Sequence, residues 1–212
     1  MKKYRLTEET TKVGNRTLYR IQALRDFRNV TKGDIGGYIE SEKNLSQDGN
    51  AWVSGDARVS GDACVYGDAR VSGDAWVSGD ACVYGDACVY GEACVYGNAR
   101  VSGDAWVSGD AWVSGDACVY GNARVSGEAC VYGNADIKTT GDICSMSGFG
   151  SEYRTTTAFR TKNGDVHVSC GCFQGNLEAF CQRVESTHGN NLYGREYKKM
   201  IEMLKIHFEV EP

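Results

Sequence analysis

The sequence predicts a mainly β protein built around a parallel solenoid, and three observations predict it. A six-residue unit repeats without insertion through the middle of the chain. A glycine followed by Asp, Glu or Asn closes each unit. Among 212 residues there are 27 Gly but a single Pro, and that Pro is the last residue, Pro212. A fixed short period identifies a repeat architecture before any other argument.

The repeat starts at Ala51, reads AWVSGD, ARVSGD, ACVYGD and onward, and ends at ADIK. Its central aliphatic residue falls at Val53 and every sixth position to Val131, then Ile137, which makes 15 consecutive units. Within Ala-x-Val-z the side chains alternate, so Ala and Val share one face while x and z share the other. The Gly-Asp, Gly-Glu or Gly-Asn that follows tolerates the positive φ of a sharp corner. Each unit is therefore one short strand and one corner. Six residues are too few for a hairpin or a helix pair, so stacked coils bury the Ala/Val face in a narrow core.

This region resembles the left-handed β-helix of hexapeptide-repeat proteins. The resemblance is carried by Val53-Ser54-Gly55-Asp56-Ala57-Arg58 and its successors over residues 51–138. It implies a left-handed parallel β-helix in which three hexapeptides make one triangular coil, hence about five coils. At about 4.8 Å per coil the prism is roughly 24 Å tall.

Residues 1–50 are expected to form an N-terminal β cap and a degenerate entry coil. Thr10–Val13 and Thr17–Leu24 read as two strands around the turn signal Gly14-Asn15. Ile39 and Leu45 keep the period of six, but Leu45 to Val53 is eight, so the phase breaks near Gln47-Asp48-Gly49-Asn50. The open end of a solenoid is an unpaired edge that has to be covered. Residues 51–144 are assigned to the β-helix. Residues 145–212 are assigned to a small C-terminal α+β domain. There Tyr153–Thr161 alternates, Asn163-Gly164 signals a hairpin turn and Val166–Cys170 returns. Asn176 is placed to cap a helix through Thr187, with Leu177, Phe180 and Val184 on one face. A second helix over about 194–207 carries Tyr197, Met200, Ile201 and Leu204.

Charge narrows the function classes. Residues 1–50 hold 10 basic and 7 acidic residues (+3), residues 51–138 hold 5 and 12 (−7), and residues 139–212 hold 8 and 9 (−1), summing to −5. An acidic middle argues against nucleic-acid binding, which needs a basic stripe. The start MKKYRLTEET has no apolar core of a signal peptide, and no run of about 18 apolar residues is present. A cytoplasmic chain with its 10 Cys as reduced thiols is expected, with no membrane association.

The outward positions carry the functional expectation. Position x is Trp, Arg or Cys almost throughout; Trp and Arg precede Ser, while Cys precedes Tyr. With 18-residue coils, the first face carries Trp52, Arg70, Cys88, Trp106 and Arg124. The second carries Arg58, Trp76, Cys94, Trp112 and Cys130. The third carries Cys64, Cys82, Arg100, Cys118 and Asp136, with Tyr66, Tyr84 and Tyr120 beside them. Arg above Trp in neighbouring coils permits cation–π stacking. Self-stabilising ladders explain such faces as readily as a partner surface does. The partner reading selects Trp76, Trp106, Trp112, Arg70, Arg124, Tyr66, Tyr84 and Tyr120. The third face is the expected site of self-association, as a trimer packed along the prisms. Cys64 and Cys82 fall within disulfide reach by coil spacing, with thiols expected. One corner column, Asp56, Asp74, Glu92, Asp110 and Glu128, is acidic throughout.

Enzymatic readings fare worse. Hexapeptide-repeat proteins resemble acyltransferases that use a His base, or carbonic anhydrases that bind metal through three His. Here His167, His188 and His207 all lie outside the repeats. On the strand His167-Val-Ser-Cys170 the histidine and the thiol face opposite ways, so no metal or cofactor site is expected. Ser151, Arg154, Thr155 and Thr156, after Gly148-Phe149-Gly150, form a polar cluster that could line a ligand pocket. The segments Leu24-Arg25-Asp26-Phe27, Gly33-Asp34-Ile35-Gly36-Gly37, Glu42-Lys43-Asn44-Leu45-Ser46 and Cys170-Gly171-Cys172-Phe173 resemble uncharacterised phage and prophage hexapeptide-repeat proteins. That resemblance implies a phage context and a host-cell compartment. The function expected is a non-enzymatic rigid scaffold that binds or inhibits a host protein, with a role against host defence. The alternative is a small-molecule or nucleotide binder, or an enzyme, using the C-terminal domain.

Overall fold

The computed structural model describes residues 2–210. An N-terminal antiparallel hairpin, β1 (Tyr4–Val13) and β2 (Arg16–Ala23), is followed by β3 (Ile35–Ile39). Fifteen two-residue strands, β4 (Trp52–Val53) to β18 (Asp136–Ile137), then recur every six residues. A four-stranded sheet closes the chain: β19 (Ile143–Phe149), β20 (Arg154–Arg160), β21 (Val166–Cys170) and β22 (Phe173–Asn176). Two helices pack on it, α1 (Leu177–His188) and α2 (Leu192–His207).

The fifteen strands form three parallel columns with every third strand paired, so one coil is 18 residues, as Cys88 beside Trp106 and Arg70 shows. The fifteen strands make five coils. Tyr38-Ile39 pairs with Arg58-Val59, and Leu45 bridges Val65, which adds the degenerate entry turn as part of a sixth. Those pairings step by 20 residues, two more than a full coil, because the excess at Gln47–Asn50 is absorbed in one corner. All the Ala and Val side chains of the repeat point inward and are buried.

The corner explains why glycine occurs there. Gly97 has φ 71°, a left-handed backbone, and a β-carbon added to it would stand 3.0 Å from the backbone nitrogen of Gly115 in the next coil. Both the φ and the close coil-to-coil approach need a residue without Cβ.

Coil stacking gives the prism a polarity. Each coil donates N–H groups to carbonyls of the following coil, as from Cys94 N to Ala111 O at 2.9 Å. The N-terminal end therefore presents carbonyls without a donor. The cap supplies the donors: Tyr38 N to Ala57 O (2.8 Å), Ser46 N to Val65 O (2.9 Å) and the buried Lys3 Nζ to Ala51 O (2.8 Å). Burial, then the nearby Arg25, pulls the Lys3 ammonium down to about 8. Tyr4, Phe27 and Trp52 close over the apolar core at that end.

The structure changes the sequence expectation in three places. β1 starts at Tyr4 rather than Thr10, because Tyr4 is anchored in the core and its hydroxyl donates to Leu45 O at 2.7 Å. β19 and β22 were not anticipated, since Cys-Ser-Met-Ser-Gly and Gln-Gly-Asn lack strand-forming residues; neighbouring strands impose their conformation. β20 reaches the prism on one side and the helices on the other. Phe159 enters the solenoid core, while Ala158 belongs to the helix-side core.

Candidate functional site

Two regions collect the residues selected from the sequence. The first is the outer surface of the prism. Trp76, Trp106 and Trp112 are 38%, 41% and 51% exposed, despite their size. Tyr90 sets its ring edge-on to Trp106 on the first face (centroids 6.0 Å, planes 82° apart), and Tyr96 does the same to Trp112 on the second (6.1 Å, 85°). The Arg124 guanidinium lies 5.0 Å over the Trp106 ring. Arg70 is half-buried between Trp52 and Cys88 in that same column. Tyr90 and Tyr96 were missed as site residues. The i, i+16 spacing from z in one coil to x in the next was the signal that could have found them.

The edge between these two faces is the acidic column. Asp56 is paired with Arg20 (2.9 Å), and Glu128 accepts from Thr155 Oγ1 (2.6 Å). Asp74, Glu92 and Asp110 between them have no ion-pair partner among the described residues. The other two columns are partly self-bonded: Asn50 donates to Asp68 (2.8 Å) and Asn98 to Asp116 (2.9 Å).

The third face is different. Tyr66 and Tyr84 stack on each other, with centroids 5.0 Å apart and planes 1° apart, so each covers one ring face. Ser102 occupies the next coil, which leaves Tyr120 separate, its hydroxyl 3.4 Å from Asp136. The three tyrosines do not form a continuous row, and the larger exposed aromatic area lies on the first and second faces.

Cys64 and Cys82 are free thiols with sulfurs 3.0 Å apart on this third face. Burial, then the neighbouring Cys82, pushes the Cys64 thiol up to about 12, so thiolate is scarce at neutral pH. Glutathione is expected to leave the pair reduced. Treatment with diamide should close one intramolecular disulfide, with loss of two hydrogens and reduction of the diazene to its hydrazine. Peptide mapping should find that disulfide between Cys64 and Cys82; a different intramolecular pairing would refute the assignment.

The second region is a cleft of about 250 Å³ in the C-terminal part, between the helix-side face of the sheet and the two helices. Ser151 and Arg154 line it; Thr156 is buried beneath, its hydroxyl 3.2 Å from Cys170 Sγ. Thr155 is not part of it. Strand alternation turns Thr155 and Thr157 to the prism, where they reach Glu128 and Cys130 N. The cleft instead gains Arg183 and His188 from α1 and Tyr197 from α2. Burial, then Cys170, raises the Tyr197 phenol above its ordinary range. His167 faces the other way, towards Tyr132 and Phe159. A further cleft of about 400 Å³ lies between the cap loop at Arg28–Ile35 and the first face, but Arg28 there is committed to Asp68 and Asp86. No cluster of three or more metal-ligating side chains occurs among the described residues.

Parallel two-residue strands in three columns, hexapeptide corners and a continuous Ala/Val core define a left-handed β-helix repeat protein. A family model described as "YdcK Beta solenoid repeat" matches residues 63–79 and 93–109, both within the prism. The chain is similar to the "Uncharacterized acetyltransferase YdcK" of Escherichia coli (strain K12), with 39% identity over 61 residues. That stretch covers 25% of this chain and 19% of the relative, so the likeness spans about a fifth of the relative's length. No helix is long and apolar enough to cross a membrane among the described residues.

Proposed function

We propose that this chain is a non-enzymatic scaffold that binds a partner protein through the first and second prism faces. One observation carries the reading. Two exposed Tyr–Trp pairs, Tyr90–Trp106 and Tyr96–Trp112, flank an edge whose central carboxylates have no ion-pair partner among the described residues. Tyr and Trp supply most of the energy of typical interfaces, and an exposed aromatic patch of this kind marks a contact surface. The carboxylate edge favours a partner with a basic surface. The phage context implied by the resemblance makes that partner a host protein, and occupying a host defence or nucleic-acid enzyme suits a rigid acidic prism.

Acetyl transfer, the activity in the relative's name, is the weaker reading. The shared stretch is short, and His167, His188 and His207 all lie in the C-terminal part. Without a base on a prism face, acyl transfer there lacks its general catalyst.

The test is affinity capture from host cells with the wild type and a Trp106→Arg/Trp112→Arg variant. Arg already precedes Ser at Arg58 and Arg70, so the fold survives. Truncating an interface hot spot costs about 2 kcal/mol or more, so the pair should weaken capture at least about a hundredfold. Equal capture by the two proteins would overturn the reading. Light scattering separates a second copy from a foreign partner. A wild-type mass near 23.1 kDa removes self-association, and an oligomer lost in the variant identifies these faces as its interface.

A further inference from the structure

We propose that the C-terminal cleft binds a small organic anion, a phosphate or carboxylate head on a flat apolar body. This inference is independent of the scaffold reading. The cleft takes its chemistry from two sides. Arg154, Arg183 and His188 are cationic or protonatable, against one carboxylate, Glu152, which stands 3.9 Å from Arg154. Arg183 and His188 have no side-chain hydrogen bond or ion pair among the described residues. In a chain of net charge −5, with its acids spread over the prism, a cleft with two guanidiniums and one acid is a local reversal. Guanidinium forks match the paired oxygens of phosphate and carboxylate, and they bind more strongly where water is partly excluded.

The opposite wall is apolar. Phe173 and Phe180 pack at 5.2 Å with planes 46° apart, and Val184 lies beside them. Tyr197 adds a third ring, against which His188 stacks at 5.6 Å and 26°. Phe180 and Tyr197 are themselves in edge contact at 5.8 Å and 89°, so a flat body would rest on the cleft-facing side of this aromatic wall with its head towards the arginines.

Two features hold the geometry. A β-carbon on Gly171, which has φ 57°, would collide with Arg154 Nη1, so the guanidinium rests on bare backbone. Gly150 N donates to Glu196 Oε2 at 3.0 Å, which ties the loop carrying Ser151 and Glu152 to α2. At about 250 Å³ the cleft is below the usual range for drug-sized ligands and suits a single-ring compound.

The experiment uses the full chain with four probes: phenyl phosphate, benzoate, inorganic phosphate and phenol. Binding is followed by saturation-transfer NMR and titration calorimetry, with thermal melts to verify folding. Phenyl phosphate or benzoate should bind with a dissociation constant of about 1 mM or tighter. Inorganic phosphate and phenol should each bind at least tenfold more weakly. Arg154→Gln/Arg183→Gln should weaken binding at least tenfold, while Lys12→Gln on the exposed surface of the N-terminal cap, which removes a charge at a distance, should leave it unchanged. Gly171→Ala, which keeps every charge but displaces Arg154, should weaken it too. The proposal is overturned if neither phenyl phosphate nor benzoate binds at about 10 mM. Equal binding of phenol, or an affinity indifferent to the double substitution in a variant that melts like wild type, also overturns it.

Discussion

Val95→Asp is expected to unfold the prism. Val95 lies in the third of five coils, in register with Val77 on one side and Val113 on the other, and is fully buried. The interior around it consists of Ala and Val side chains, with no polar partner to receive a carboxylate. The new acid must either stay charged without a counter-ion or take up a proton and remain unbonded; both cost several kcal/mol. A loss above about 4 kcal/mol is a large part of the stability of an ordinary domain. Position aggravates the effect. In a solenoid each coil is held by its two neighbours, so a defect in the middle coil severs the array. Circular dichroism should show lost β signal or a melting temperature lowered by tens of degrees. Val95→Ile, which only adds a methylene, separates overpacking from charge and should cost about 1–3 kcal/mol. A Val95→Asp protein with unchanged ellipticity and melting would refute the inward placement of Val.

The prism was legible because its determinants are local and repeated. The inward Ala and Val, the glycine corners and the 18-residue coil all follow from one hexapeptide and the alternation of a strand. The coupling of Trp or Arg with Ser and of Cys with Tyr was equally visible. Its pairing outcome was only partly so. Of the Arg-over-Trp neighbours, Arg124–Trp106 forms a cation–π contact, whereas Arg58 and Trp76, also side by side, do not. Instead Trp76 Nε1 donates to Ser60 Oγ at 3.4 Å. Side-chain rotamers, not register, decide between such contacts, and a sequence does not carry them.

The C-terminal cleft was legible in fragments. Arg154 and Ser151 could be selected as polar residues beside a glycine-rich turn. Thr155 was grouped with them because adjacent residues look like neighbours in a sequence, while a strand sends them to opposite faces. Arg183 was passed over because the α1 reading rests on its apolar residues alone, Leu177, Phe180 and Val184. Yet Arg183 and Thr187, one turn apart beside that stripe, reach the cleft wall.

Removing residues 143–212 should make the remaining chain aggregate. The reason lies in the polarity of the stack. N–H groups point towards the next coil, so the last coil ends in donors with no coil beyond it. The C-terminal sheet covers part of that edge and closes the core. Cys130 N donates to Thr157 Oγ1 at 3.1 Å, and Ala135 is bridged to Thr161. Phe159 seals the apolar interior, with Tyr132 set edge-on to it at 5.2 Å and 90°. Tyr132 in turn donates to Val168 O at 3.2 Å, and Lys162 N to Asn134 O at 3.0 Å. Without the sheet, a strand edge and the Ala/Val core face water together, the combination that drives edge-to-edge association. Native end-to-end stacking offers no escape, because the carbonyl end of a neighbouring copy is covered by its cap, Lys3 included. The expected result is concentration-dependent scattering and elution in the void volume, while the full chain elutes as a defined species. Phe159→Ser in the full chain should give the same tendency in weaker form, since the sheet remains but its plug is gone. A truncated protein that stays monomeric and melts like the full chain would show that the prism closes its own C-terminal end.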